Sequence, residues 1–121
     1  MADFSDMVKF QRNFDKKHGW LWWEFKDNKE FLDKMQDATL ALVGEVGEFS
    51  NVLKKMRREH GSLGNFDEKL LPSLKEELID IYIYFLILSI MLDIDVPEEY
   101  YKKMQVNEQR FKKFAEANTG E

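Results

Sequence analysis

"FLDKMQDATLALVGEVGEFSNVLKKM", residues 31–56, carries apolar side chains at 31, 35, 38, 42, 46, 49, 53 and 56. Seven steps over 25 residues give a mean spacing of about 3.6, the period of an amphipathic α-helix. Two acids interrupt that reading. Glu45 falls on the apolar seam and Glu48 follows one turn later. An unpaired carboxylate is costly to bury, so acids in such places are paired with cations or bind metal.

Outward from this helix the chain reads as all-α, a single domain over 1–121. Two prolines and six glycines leave long uninterrupted stretches. A first helix spans about 3–17, with Phe4, Met7, Val8, Gln11 and Phe14 on one face. "HGWLWWEFKDN" (18–28) is an aromatic loop, and Asp27 with Glu30 resembles a capping box for the second helix. Gly61 and Gly64 are stop signals for it. Pro72 opens a third helix to about 93, and Pro97 a fourth to about Ala117, leaving Asn118–Glu121 frayed.

The third helix ends in "IYIYFLILSIML" (81–92), apolar on every side. Leu78, Phe85 and Leu92 face one way, while Ile79, Ile83, Leu86 and Ile90 face others. Its 12 residues fall short of the roughly 20 that span a bilayer. Three other helices of one short chain barely cover it, which predicts a homo-oligomer, dimer or tetramer, of four-helix-bundle subunits.

Composition excludes several chemistries. There is no cysteine, hence no disulfide framework, thiol nucleophile or thiolate metal site. This suits a reducing, cytoplasmic setting, and "MADFSDMVKF" holds no signal-peptide core. A net charge of -5 is the wrong sign for nucleic-acid binding, and no membrane partner is expected. His18 and His60 lie in predicted loops outside any Glu-x-x-His motif, which disfavours di-iron chemistry, and zinc lacks its preferred ligands.

"KEELIDIYIY" (75–84) opens the third helix with a second acidic pair. Glu77 and Asp80 share a face, and Tyr84 lies one turn beyond. Antiparallel packing of the second and third helices brings four carboxylates together, and like charges at short range raise one another's pKa. A hard divalent cation, Mg²⁺ or Mn²⁺, relieves this with oxygen ligands. The competing explanation is ordinary ion pairing with Lys54, Lys55 or Lys75, or simple exposure to solvent.

"LVGEVGEFSNVLKK" followed by "LKEELIDIYIYFLIL" resembles the Glu-x-x-Glu…Glu-x-x-Asp pattern of MazG-like, all-α nucleoside triphosphate pyrophosphohydrolases. "FQRNFDKKHGW" before and "KKMQVNEQRF" after agree, and the layout is most similar to the dCTP pyrophosphatase-like branch over about 10–111. The resemblance implies Mg²⁺ bound by Glu45, Glu48, Glu77 and Asp80, with Mn²⁺ as a substitute. It implies a (deoxy)nucleoside triphosphate split into monophosphate and pyrophosphate, in nucleotide clearing or supply. It places Tyr84 in the nucleotide pocket and Lys103, Asn107 and Arg110 at the phosphates. Another phosphate ester, such as an alarmone nucleotide, or a non-catalytic helical interaction module is the alternative.

The chain also departs from that branch. Lys54–Lys55 stand where relatives carry an aromatic residue after the first acidic pair, and Lys26 follows Phe25 where they place a histidine. Both changes touch base recognition. Trp22 and Trp23, with Trp20, are candidates to line the base pocket, since aromatic rings stack on any base. Lys54, Lys55, Arg57 and Arg58 form a basic cluster that is either a solvated helix end or a phosphate contact. Gly44 and Gly47 flank Glu45 either for close helix packing or to leave room for metal-bound waters and phosphate.

Overall fold

A computed structural model describes residues 2–119, and every regular element among them is helical. The order is α1 (Phe4–Lys17), α2 (Asn28–Leu63), a 3₁₀ turn (Glu68–Leu70), α3 (Leu71–Met91), α4 (Val96–Arg110) and α5 (Lys112–Thr119).

Local chemistry sets these boundaries. Asp3 and Asp6 form a reciprocal capping box that starts α1. At α2 only half of the expected box forms. Asp27 accepts from the Glu30 N–H at 2.8 Å, but the Glu30 side chain turns away to Lys34, 3.4 Å distant. Gly64 ends α2 in the left-handed region at φ 67°, donating its N–H to the His60 carbonyl, while Gly61 remains helical. Pro72 sits in the first turn of α3 and Pro97 in that of α4, where their missing N–H groups cost nothing.

The fourth helical segment is interrupted. Phe111 (φ -105°, ψ 13°) separates α4 from α5, and Asn118 continues α5 instead of fraying. Positions 120 and 121 of the expected frayed tail lie outside the described residues. α4 has no fully buried residue.

The core is the α2–α3 seam, with α1 laid across α3. Ala38, Ile87 and Met91 are buried at its centre, and Trp22, Phe31, Met35, Ile83, Tyr84 and Leu88 pack around them. On α3 the structure divides the all-round apolar surface into two parts. Leu86, Ile87, Ile90 and Met91 are spent within the chain, whereas Leu78, Ile79, Phe85 and Leu92 remain exposed. No helix among the described residues is long and apolar enough to cross a membrane.

Candidate functional site

The α2–α3 seam carries the acids. One carboxylate oxygen each from Glu45, Glu48 and Glu77 falls within 4.8 Å of the others, with Glu45 and Glu77 half-buried and Glu48 exposed. Asp80 lies outside that tight trio, yet acts on it electrostatically and lines the adjoining cavity. Helical geometry explains the grouping, because each pair is three residues apart on one helix and the helices pack along those faces.

Three carboxylates at this separation do not tolerate full ionisation. Burial is the first cause that raises the Glu45 pKa, followed by repulsion from Glu48 and Asp80, with a hydrogen bond to Glu77 opposing. Glu77 is pushed up to about 7, first by burial, then by a hydrogen bond in which Glu48 stabilises its protonated form, then by its acidic neighbours. Glu45 Oε2 and Glu77 Oε2 are buried without a hydrogen-bond partner.

Ordinary ion pairing does not account for them. The ion pairs found among the described residues join Lys29–Asp33, Lys34–Glu30, Lys102–Glu98, Lys102–Glu99 and Lys112–Glu116, and none involves the four acids. Orphaned oxygens and mutual repulsion in an oxygen-only donor set fit a hard divalent cation.

A cavity of about 400 Å³ continues from Glu45 and Asp80, within the range of small-molecule sites. Its aromatic lining comes from Phe14, Trp20, Trp22 and Tyr84, and its polar lining on α1 from Gln11 and Asp15. Trp22 and Tyr84 therefore serve core and cavity together. The aromatic loop is tied down by Lys34, whose Nζ donates to the Leu21 carbonyl at 2.8 Å and to the Glu24 carbonyl.

Other expected contributors lie elsewhere. Trp23 sits 5.5 Å beneath the Arg12 guanidinium, and Phe25 packs on Phe31 at 4.8 Å. Neither lines this cavity, nor does Lys26, which is exposed. Lys54 and Lys55 are exposed on α2 without an ion pair among the described residues. Lys103, Asn107 and Arg110 also stand apart from it. Asn107 Nδ2 reaches only Met104 Sδ at 3.8 Å, and the Arg110 guanidinium lies 5.1 Å over the Phe111 ring.

Gly44 and Gly47 face open space, since a Cβ built at either meets nothing within 4 Å. Close helix packing within the chain is therefore not their reason.

No motif in the sequence marks Asp15. It is only 2% exposed, and its Oδ1 accepts from Gln11 Nε2 at 3.0 Å while Oδ2 has no partner. Burial raises its pKa, with Gln11 and the charge of His18 opposing. The available signal was Gln11, a polar residue inside the apolar stripe of α1, four residues before an acid.

No protein-family model matches the chain. It is similar to proteins named dCTP pyrophosphatase 1: 35% identical to that of Mus musculus and 34% to that of Homo sapiens over 83 residues, and 32% to that of Bos taurus over 82. Each match covers 68% of this chain and 48% of the relative, so the matched region is about half the length of these curated relatives.

Proposed function

We propose that the chain is a divalent-cation-dependent nucleotide pyrophosphohydrolase of the MazG-like type, converting a (deoxy)nucleoside triphosphate to monophosphate and pyrophosphate. The observation that carries this reading is the cluster of Glu45, Glu48 and Glu77 within 4.8 Å, which pairs with no Lys or Arg among the described residues. The likeness to dCTP pyrophosphatases supports it independently.

Glu45, Glu48 and Glu77 would hold Mg²⁺, or Mn²⁺ in its place, with Asp80 beside them. Once bound, the cation supplies charge neutralisation for the triphosphate and polarises the attacked phosphorus. The chain supplies position. Trp22 and Tyr84 wall the nucleoside, Gly44 and Gly47 leave the acid end open, and a cluster carboxylate takes the proton of the attacking water. Water attacks the α-phosphorus in line and pyrophosphate leaves, a reaction governed by positioning and electrostatics.

Lys103, Asn107 and Arg110 do not line the cavity of their own chain. A second copy, its α4 laid across the site, is the source that brings such groups to the phosphates. The same assembly covers the exposed apolar faces. Clearing of surplus or aberrant nucleotides fits this activity, and nucleotide supply fits it equally.

The test is a nucleotide panel with Mn²⁺ or Mg²⁺, with products separated by chromatography. Monophosphate and pyrophosphate are expected from at least one triphosphate. Diphosphate with orthophosphate would move the point of attack, and activity on alarmone nucleotides alone would change the substrate class. No product from any nucleotide would make the chain a non-catalytic helical module. Glu48→Gln and Asp80→Asn should each lower turnover at least roughly 100-fold, about 2.7 kcal/mol, with helicity by circular dichroism unchanged.

A further inference from the structure

Beside its aromatic residues the cavity is lined by a hydrogen-bonded polar pair, Gln11–Asp15. Asp15 is nearly fully buried in the helix that covers the cavity, at 2% exposure, and a carboxyl there without full hydrogen bonding is expensive. Gln11 satisfies only Oδ1. Oδ2 has no partner among the described residues, and no cation pairs with Asp15 there. The group is separate from the acid cluster, on another helix, and nothing in the metal chemistry requires it.

Its neighbours define what would complete it. Phe14, Trp20 and Trp22 offer flat apolar walls, matched to a planar ring. Gln11 spends Nε2 on Asp15, so the pair's remaining oxygens, Gln11 Oε1 and Asp15 Oδ2, are hydrogen-bond acceptors. A ring entering between the walls meets acceptors and must bring donors. An exocyclic amino group supplies two N–H bonds, whereas the carbonyl of thymine or uracil in its place sets oxygen against oxygen.

We propose that Asp15, oriented by Gln11, is a specificity-determining residue that selects nucleotides whose base carries an exocyclic amino group over thymine and uracil nucleotides. This rests on the hydrolase reading above and adds the edge of the base that is read. Sites built to hydrogen-bond a substrate discriminate strongly against analogues that leave their buried groups unpaired.

Asp15→Asn is the decisive variant. It can retain the oxygen that accepts from Gln11 while exchanging the unpartnered oxygen for an N–H donor, with almost no change of shape. The measurement is kcat and KM for dCTP, dATP, dUTP and dTTP in both proteins. Wild type should favour dCTP or dATP over dUTP and dTTP. The variant should reduce that ratio by at least about tenfold, through a higher KM for the amino-bearing substrates. Because the ratio is taken within one preparation, partial unfolding cancels. A ratio that moves less than twofold, or a wild type that prefers dTTP and dUTP, overturns the assignment while leaving the hydrolase reading intact. A wild type inactive on every nucleotide overturns both.

Discussion

Glu77 shows how one residue records its surroundings. Its carboxyl is raised from 4.5 to about 7 by burial and by three acidic neighbours, so the metal-free folded chain binds a proton that the unfolded chain has released between those pH values. Stability then falls as pH rises through that window, because the folded state holds more protons there. The contribution is fully present below about 4.5 and lost above about 7. Thermal melts in chelator should therefore show a declining midpoint from pH 5 to 7.5, and Glu77→Gln should flatten the decline. Added Mn²⁺ should reverse it, since the cation displaces the proton. A metal-free midpoint that climbs over this range would mean that the carboxyls are not held together as described.

At the scale of the helix, glycine is the informative case. Gly44 and Gly47 each weaken α2 by about 1 kcal/mol relative to alanine, and a Cβ at either position meets open space. Gly47→Ala should raise the apparent stability of the chain by up to about 1 kcal/mol, read by denaturant melts. It should also lower kcat/KM if the vacated volume belongs to the substrate. Higher stability with unchanged activity would make the glycine incidental. Helix starts and stops were largely legible in the sequence, because Asp3, Asp27, Gly64, Pro72 and Pro97 act through their own backbone neighbours. The trio of Glu45, Glu48 and Glu77 was legible too, since it needs only the helical period and one helix pairing, whereas Asp80, expected with them, stands beside the trio and lines the cavity. Features decided by the third dimension were hidden. The burial of Asp15 depends on α1 lying over α3, and the Lys34 tether depends on the path of the aromatic loop. The division at Phe111 has no glycine or proline beside it to announce it.

The whole molecule exposes too much surface for a compact single chain. At 14.5 kDa a folded monomer presents about 6,900 Å², whereas this chain presents 9712 Å². The excess, about 2,800 Å², is of the size that one side of a large obligate interface removes, roughly 2,500 Å² or more. It is also apolar in the right places. Leu78 and Phe85 on α3 and Leu92 at its C-cap follow one another at seven-residue steps, and Tyr101, Met104 and Val106 stand open on α4. Light scattering at micromolar concentration should give at least a dimer. Phe85→Asp should lower the mass or drive aggregation, while Ile90→Asp should unfold the chain outright, because Ile90 is already buried within it. Assembly and activity should also fail together. If α4 of one copy completes the site of another, an inactive Glu48→Gln chain mixed and refolded with an inactive Lys103→Ala chain should recover part of the turnover. Sites pairing an intact acid cluster with an intact α4 from the other copy would form again. A fully active monomer would place the phosphate contacts on other residues and leave the open faces of α3 and α4 without this explanation.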